Sequence, residues 1–384
     1  MHAPFAVAAG TRSTENAGEM PAPCTVLETA DKAVAHIAAW QALLKRSAEP
    51  NVFFAPGVLL PAMRHLSNGK QIRIILIHHP DDTGRLIGVF PVVFCRRFHG
   101  LPLRHVTLWL HAHVFVAAPP VDPQFSAIAW RGFLAWARGS GALFVNLPLQ
   151  VDGPGSPDAV AGPSLELDRF SRPVFIPDAA GADNYIRTAC SPKSRKSWRR
   201  QLRRLAEQGR LELRQLGDKD DLTPWVEDFL ELEAASWKGK VGTAIASDPN
   251  EAAFFREMMG HIHGEGGLHF LGYYLDGRPV SMQCNLFEGG VGYAFKVAFD
   301  EEHASLSPGA LLELAAVAGF HGRAGLVMVD SCASRDHPLM GRIWTDTRDI
   351  RRLILPVPGL RERLVFAGLQ AGLRLRRMLG GGRS

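Results

Sequence analysis

With 384 residues, 46% of them hydrophobic and 21% charged, the chain is long enough for two ordinary domains and apolar enough to bury a core in each. Its formal net charge of +5 suits an anionic ligand but is too small, without a concentrated basic face, to indicate DNA binding. Five scattered cysteines, with no CxxC pair, argue against a disulfide framework and a zinc knuckle and fit a reducing cytoplasm.

Residues 1–23, rich in Ala, Gly, Thr and Pro and without a period, read as a flexible leader. They lack the basic segment and apolar run of a secretory signal, and no stretch of about 18 apolar residues follows anywhere. A helix is expected over Asp31–Lys45, with Val34, Ile37, Trp40 and Leu44 on one face. Two strands, Ile72–Ile77 and Leu86–Phe94, flank a turn-rich segment from His78 to Gly84. A third strand is expected over Val106–Ala117, then a helix carrying Ile128, Phe133, Leu134 and Trp136, then a buried strand over Ala142–Leu147. The Gly- and Pro-rich stretch 151–163 reads as a loop or linker.

The order then recurs. Helices are expected over Thr223–Trp237, capped by Thr223 with Pro224 at its first position, and over Asn250–His263. Strands His269–Leu275 and Pro279–Phe287 flank Asp276-Gly277, a strong hairpin signal. A third strand, Val291–Phe299, leads through a loop to a helix starting near Pro308, and Leu326–Asp330 is the next buried strand. Arg85–Val89 matches Arg278–Met282, and Phe144–Asn146 matches Val327–Asp330. A diverged duplication explains this order; chance likeness of α/β segments is the alternative. The expected fold is α/β with mixed sheets: a first half at 24–190, a second at 191–356 and a basic amphipathic tail at 357–384.

Between the halves lies a run of cations, Lys193, Arg195, Lys196, Arg199, Arg200, Arg203 and Arg204, with Trp198, Leu202 and Leu205 at helical spacing. It is either a solvated helix face or a surface for phosphate or an anionic polymer. Further on, Ser307, Pro308, Gly309 and Ala310 open a helix. A helix N-terminus offers unpaired N–H groups and a positive dipole end, which suit a phosphate. Pro308 costs nothing in a first turn, and Gly309 keeps a side chain away from the approach. A plain cap explains the same residues.

Several motifs in order resemble the GNAT-superfamily acyltransferases of the CelD/BcsL type, associated with cellulose and exopolysaccharide biosynthesis and related to Fem-type aminoacyl ligases. They are Ser194–Leu205, Leu232–Gly239, Gly242–Ile245, Leu275–Pro279, Phe295-Lys296 with Asp300, Ser307-Pro308-Gly309, and Asp330. The likeness is clearest over Ser194–Leu355; the first half fits in pattern only. It implies tandem GNAT-like domains, an acyl-CoA such as acetyl-CoA as donor with no metal, and transfer to an amine of a small molecule or glycan precursor. Envelope-polysaccharide synthesis proteins are then natural partners. One departure stands out: His303–Gly309 has one Gly and no basic start, unlike the usual pyrophosphate loop. A Fem-like tRNA-dependent ligase is therefore an alternative, although no long coiled-coil arm is visible. A non-catalytic scaffold of an exopolysaccharide synthase is another.

On this reading Asp300 serves the amine, directly or through water, Lys296 pairs with it or steadies an oxyanion, and Asp330 sits at a strand end where ligands gather. Structural ion pairs or caps are the competing roles. Val297, Ala298 and Phe299, with Ser307 to Ala310, are expected along the donor. Trp237, Lys238 and Tyr293 are expected at the acceptor, Trp237 being equally a core residue. His111 and His113 alternate like a metal pair but lack a third ligand, and His261 and His263 suit a helix end. The tail Leu360–Leu379 either docks on the protein or lies on an anionic membrane surface.

Overall fold

The computed structural model describes residues 22–153, 155–157, 163–334 and 340–380, with side chains to residue 374. The expected leader lies, but for its last two residues, outside this range. In chain order the strands are β1 (Cys24–Leu27), β2 (Arg73–His79), β3 (Asp82–Cys95), β4 (His105–Leu108), β5 (Phe144–Val151), β6 (Leu165–Phe175), β7 (Leu211–Gln215), β8 (Leu268–Leu275), β9 (Arg278–Glu288), β10 (Val291–Phe299), β11 (Met328–Asp330) and β12 (Asp346–Pro356). The helices are α1 (Ile37–Leu44), α2 (Pro56–His65), α3 (Ser126–Gly139), α4 (Ala182–Ala189), α5 (Pro192–Ala206), α6 (Leu222–Ala235), α7 (Trp237–Lys240), α8 (Pro249–Gly264), α9 (Pro308–His321), α10 (Met340–Ile343) and α11 (Leu360–Gly380).

All twelve strands join one mixed sheet, in the order β1-β2-β3-β4-β5-β12-β6-β11-β10-β9-β8-β7. That order reads the same from either end: β1 to β5 mirror β7 to β11, and β6 mirrors β12. Among the described residues each half has one parallel pairing, β4 with β5 and β10 with β11, at the matching place. Each half also lends its last strand to the other, since β6 pairs with β11 and β12 with β5. β6 and β12 run antiparallel through the middle from Asp346↔Val174 to Ile354↔Leu165. This exchange makes one continuous sheet of two similar halves.

Helices cover both faces, which is why β2 reads as a continuous apolar run, Ile74 to Ile77, instead of alternating. One core joins the first half to the α6–α8 face of the second; another lies under α4, α5 and α9. At the Asp276-Gly277 turn both φ angles are positive, 49° and 85°, as the tight hairpin requires. Where local signals compete, the structure shifts the expectation. α6 is capped by Asp221, whose carboxylate accepts from the Thr223 N–H at 2.9 Å, and not by Thr223 itself. The expected strand Val106–Ala117 survives only as β4. Its continuation leaves the ladder, and the Val116 and Ala118 carbonyls accept instead from the buried Asn51 side chain at 3.0 and 2.9 Å.

α11 docks through Val365, Phe366 and Leu369 against Phe98, Leu143 and Phe144, while Leu360 and Leu364 stay exposed. Among the described residues no helix is long and apolar enough to cross a membrane.

Candidate functional site

The second half opens where β10 and β11 part. They pair only over Val291–Tyr293 and Met328–Asp330. Just beyond, β10 bulges between Ala294 and Lys296. A bulge bends its strand, so the rest of β10 swings away from β11. A cavity of about 790 Å³ fills the gap, bounded by β10, α5, the start of α9 and the segment after β11.

Each wall follows from local sequence. α5 is capped by the Ser191 hydroxyl, which accepts from the Ser194 N–H at 3.1 Å, and starts with Pro192. Lys193, Ser194, Ser197, Trp198 and Gln201 of α5 line the cavity, one stripe at helical spacing. Lys196, Arg199, Arg200, Arg203 and Arg204 point to solvent, so most of the basic run is a solvated face. Ser307 precedes α9 in the left-handed conformation, φ 52°, and accepts from the Gln201 side chain at 3.2 Å. Pro308, Gly309 and Ala310, the first turn of α9, form the adjoining wall.

The lining is cationic. Lys193, Lys238, Lys296 and Arg342 face it against one acid, Glu313. Lys238 reaches Glu233 at 2.7 Å and the Val297 carbonyl at 3.3 Å. The Lys296 ammonium makes no hydrogen bond among the described residues, while the residue's carbonyl accepts from the Cys284 thiol at 3.7 Å. Its ammonium lies 5.6 Å from the Phe295 ring centre and 6.0 Å from that of Phe115, and burial lowers its pKa while Glu233 opposes the shift. Cys332 also lines the cavity, in a left-handed turn with φ 51°. Burial drives its thiol far above the ordinary range, which disfavours a thiolate there.

Of the residues expected at the site, Lys296, Val297, Phe299, Ser307, Pro308, Gly309, Ala310 and Lys238 line the cavity. Ala298 packs in the core and does not line the cavity. The other four lie elsewhere. Asp300 caps the 3-10 turn Glu301–Leu306, accepting from the Glu302 N–H at 2.9 Å, and the basic side chain paired with it among the described residues is His303 at 3.9 Å, not Lys296. Tyr293 is fully buried, and its hydroxyl donates to the Pro50 carbonyl at 2.9 Å. Trp237 stands half exposed outside the cavity lining. Asp330 is wholly buried between Arg172 at 3.2 Å and Arg348 at 2.6 Å, and also accepts from the Cys332 N–H. Its expected placement beside a ligand gives way to a structural ion pair joining β6, β11 and β12. Replacing Asp300 with Ala is expected to cost about 1 kcal/mol as a lost cap and to leave ligand affinity unchanged. Chemical denaturation beside calorimetry checks this, and a selective loss of binding or transfer would restore Asp300 to the site.

Glu313 was not anticipated, although it is the one charged residue in the apolar run Ala310–Phe320. It lines the cavity from the inner face of α9, and its Oε2 accepts from Gln283 at 2.9 Å. The chain of polar side chains continues through Asn285 at 3.0 Å to His269 at 3.1 Å. Burial pushes the Glu313 carboxyl up to about 7, against the opposing pull of Gln283 and Trp344, and burial lowers His269 to about 4. The folded value for Glu313 lies above that of the unfolded chain. Its contribution is therefore intact below about pH 4.5 and lost as pH rises through about 7. Ionising it fully forfeits about 3 kcal/mol. Glu313→Gln is accordingly expected to gain stability relative to the parent as pH rises from about 4.5 to about 7, and to hold that gain above. Denaturant midpoints check this, and parallel pH profiles would refute it.

His113 stacks on Phe254 and lies 3.5 Å from Glu251, and His111 faces the same ring. Among the described residues no group of three or more His, Cys, Asp or Glu side chains is arranged to hold a metal.

Residues 192–336 match the family model described as an acetyltransferase (GNAT) domain, and the cavity lies within this segment but for Met340 and Arg342. None of the curated proteins matches the chain. Among solved structures, FemX is similar at a TM-score of 0.55 and 11% identity over 85% of this chain and 97% of that one. A conserved protein of unknown function from Bacteroides thetaiotaomicron VPI-5482 is similar at 0.52 and 10% identity, over 84% of this chain and 97% of that one. At such identities the likeness is one of fold. The chain thus carries a GNAT acetyltransferase domain in its second half and is an acyltransferase.

Proposed function

We propose that the chain transfers an acyl group from an acyl-CoA to an amine, the acceptor being an amino sugar or related envelope or exopolysaccharide precursor as the CelD/BcsL resemblance implies. The cationic cavity between the parted strands, edged by the N-terminus of α9, carries this reading. Lys193 and the N–H groups opening α9 would hold phosphates there. Gly309 suits the approach, because a Cβ added to it would come no closer than 3.5 Å to Phe299 and 3.9 Å to Val297, ordinary contacts that leave the wall open. The donor supplies a thioester carbonyl. In the transfer the amine nitrogen bonds to that carbon, the carbon–sulfur bond breaks, and the amine proton ends on the thiol.

The protein's part is to position and to stabilise charge. Lys296, held beside two rings and in no ion pair among the described residues, is placed to steady the oxyanion. Lys238 is fixed by Glu233 and the Val297 carbonyl and so shapes the mouth.

A second reading uses an aminoacyl-tRNA donor. The solvated cations of α5, from Lys196 to Arg204, favour it. Calorimetric titration with acetyl-CoA, longer acyl-CoAs and free coenzyme A separates the two. Micromolar binding is expected; no heat with any of them, together with retention of tRNA on a filter at moderate salt, would replace the first reading with the second.

A further inference from the structure

The cavity wall formed by β9 and α9 is polar where an alkyl chain would want it apolar. Gln283 and Glu313 both line the cavity and are 3% and 5% exposed. They bond to each other through Gln283 Nε2 and Glu313 Oε2, which leaves Gln283 Oε1 buried without a hydrogen-bond partner and Glu313 Oε1 with no partner at bonding distance, the Trp344 indole N–H being the neighbouring donor. Gln283 Oε1 is an acceptor, and Glu313 Oε1 is one once its carboxyl is ionised. The other end of the pair is committed, since Gln283 Nε2 also donates to Asn285. No cation forms an ion pair with Glu313 among the described residues, although Lys193, Lys238, Lys296 and Arg342 line the same cavity.

Their place along the cavity matters. Gln283 stands opposite Val297, four residues beyond the last β10 residue paired with β11 and just past the bulge. The orphan acceptors therefore lie at the level where the strands have parted. A buried acceptor left unpaired costs more than the same atom satisfied, so a group that brings a donor to this wall is favoured over one that brings only methylenes.

We infer that the cavity selects an acyl group carrying its own hydrogen-bond donor, a hydroxyl or an amine on its first few carbons, over a plain alkyl chain of equal length. The inference rests on the acyl-CoA reading above and narrows its donor. Gln283 and Glu313 act as specificity residues: they make no bond to the reacting carbon, and they distinguish donors that a hydrophobic pocket would treat alike.

The test is calorimetric and needs no acceptor. Butyryl-CoA, 3-hydroxybutyryl-CoA, β-alanyl-CoA and free coenzyme A are titrated into the full-length protein and into its Glu313→Leu and Gln283→Leu variants. Hydroxybutyryl- or β-alanyl-CoA is expected to bind about tenfold more tightly than butyryl-CoA. That preference should vanish in both variants while free coenzyme A binds as before. The hydroxyl and amine arms separate a neutral donor from a cationic one. Equal affinity for butyryl and hydroxybutyryl donors in the parent would overturn the inference. So would a loss of affinity for free coenzyme A itself in folded variants, because the wall would then be serving the carrier and not the acyl group. If no coenzyme A compound binds the parent at all, the acyl-CoA reading fails first. Unchanged free-coenzyme binding in either variant shows that it has folded, and the second substitution covers the loss of one to misfolding.

Discussion

Replacing Asp330 with Ala is expected to lower the stability of the protein by about 3–5 kcal/mol. Its carboxylate, wholly buried, faces Arg172 from β6 and Arg348 from β12, and Arg348 also pairs with Glu49 at 2.9 Å. Arg172 is committed further, donating to the Ala333 and Phe115 carbonyls at 3.1 and 2.9 Å. Removing the one carboxylate both arginines share leaves two guanidinium groups buried, with only Glu49 to balance one of them. The charges stand at the centre of the sheet, where strands exchanged between the halves meet, so the penalty should appear as global unfolding. A denaturant midpoint shifted well below that of the parent, with acyl-CoA affinity per folded molecule unchanged, is the expected pattern. If Asp330→Ala keeps the parental midpoint and loses transfer instead, Asp330 belongs to the chemistry after all.

The Gly309→Trp variant should bind acyl-CoA more than 100-fold less tightly, a difference of about 3 kcal/mol. The added ring has the cavity side of α9 as its outlet, toward Phe299 and Val297. There it would occupy the approach to the helix N-terminus. Gly309→Ala is the control. Its Cβ meets those neighbours at ordinary distances and φ at Gly309 is not positive, so affinity should be retained. Calorimetry on the pair reads the contrast directly, with thermal melting to show that both variants are folded. Tight binding by the tryptophan variant would place the donor away from α9.

Much of the architecture was legible in the residues. Asp276-Gly277 announced its hairpin because few residues tolerate two successive positive φ angles. The bounds of β10 are those expected, and α5, α8 and α9 lie close to theirs, because apolar period, Pro at the first turn and local polar caps all agree. The cavity wall from Ser307 to Ala310 was visible for the same reason: a helix start is a local event.

β6 and β12 were missed, as were β1, β7 and α2, and the central pair is the instructive case. Arg169, Arg172, Asp349, Arg351 and Arg352 make these strands look like polar connectors. They are strands because each finds the other antiparallel at the middle of the sheet. Asp330 misled for a related reason. A carboxylate at a strand end is a ligand in one context and an arginine partner in another, and Arg172 and Arg348 lie 158 and 18 residues away in sequence.

The sequence by itself determined the Asp276-Gly277 hairpin, the order of elements that recurs in the two halves and the helix start that edges the cavity, because turn chemistry, capping and apolar period act over a few residues. Only the tertiary structure decided that the halves exchange strands, that Asp330 is a buried clamp, and that Gln283 and Glu313 meet at the cavity wall. Those outcomes depend on burial and on partners distant along the chain, and the cost of burying a charge is set by what folding brings beside it.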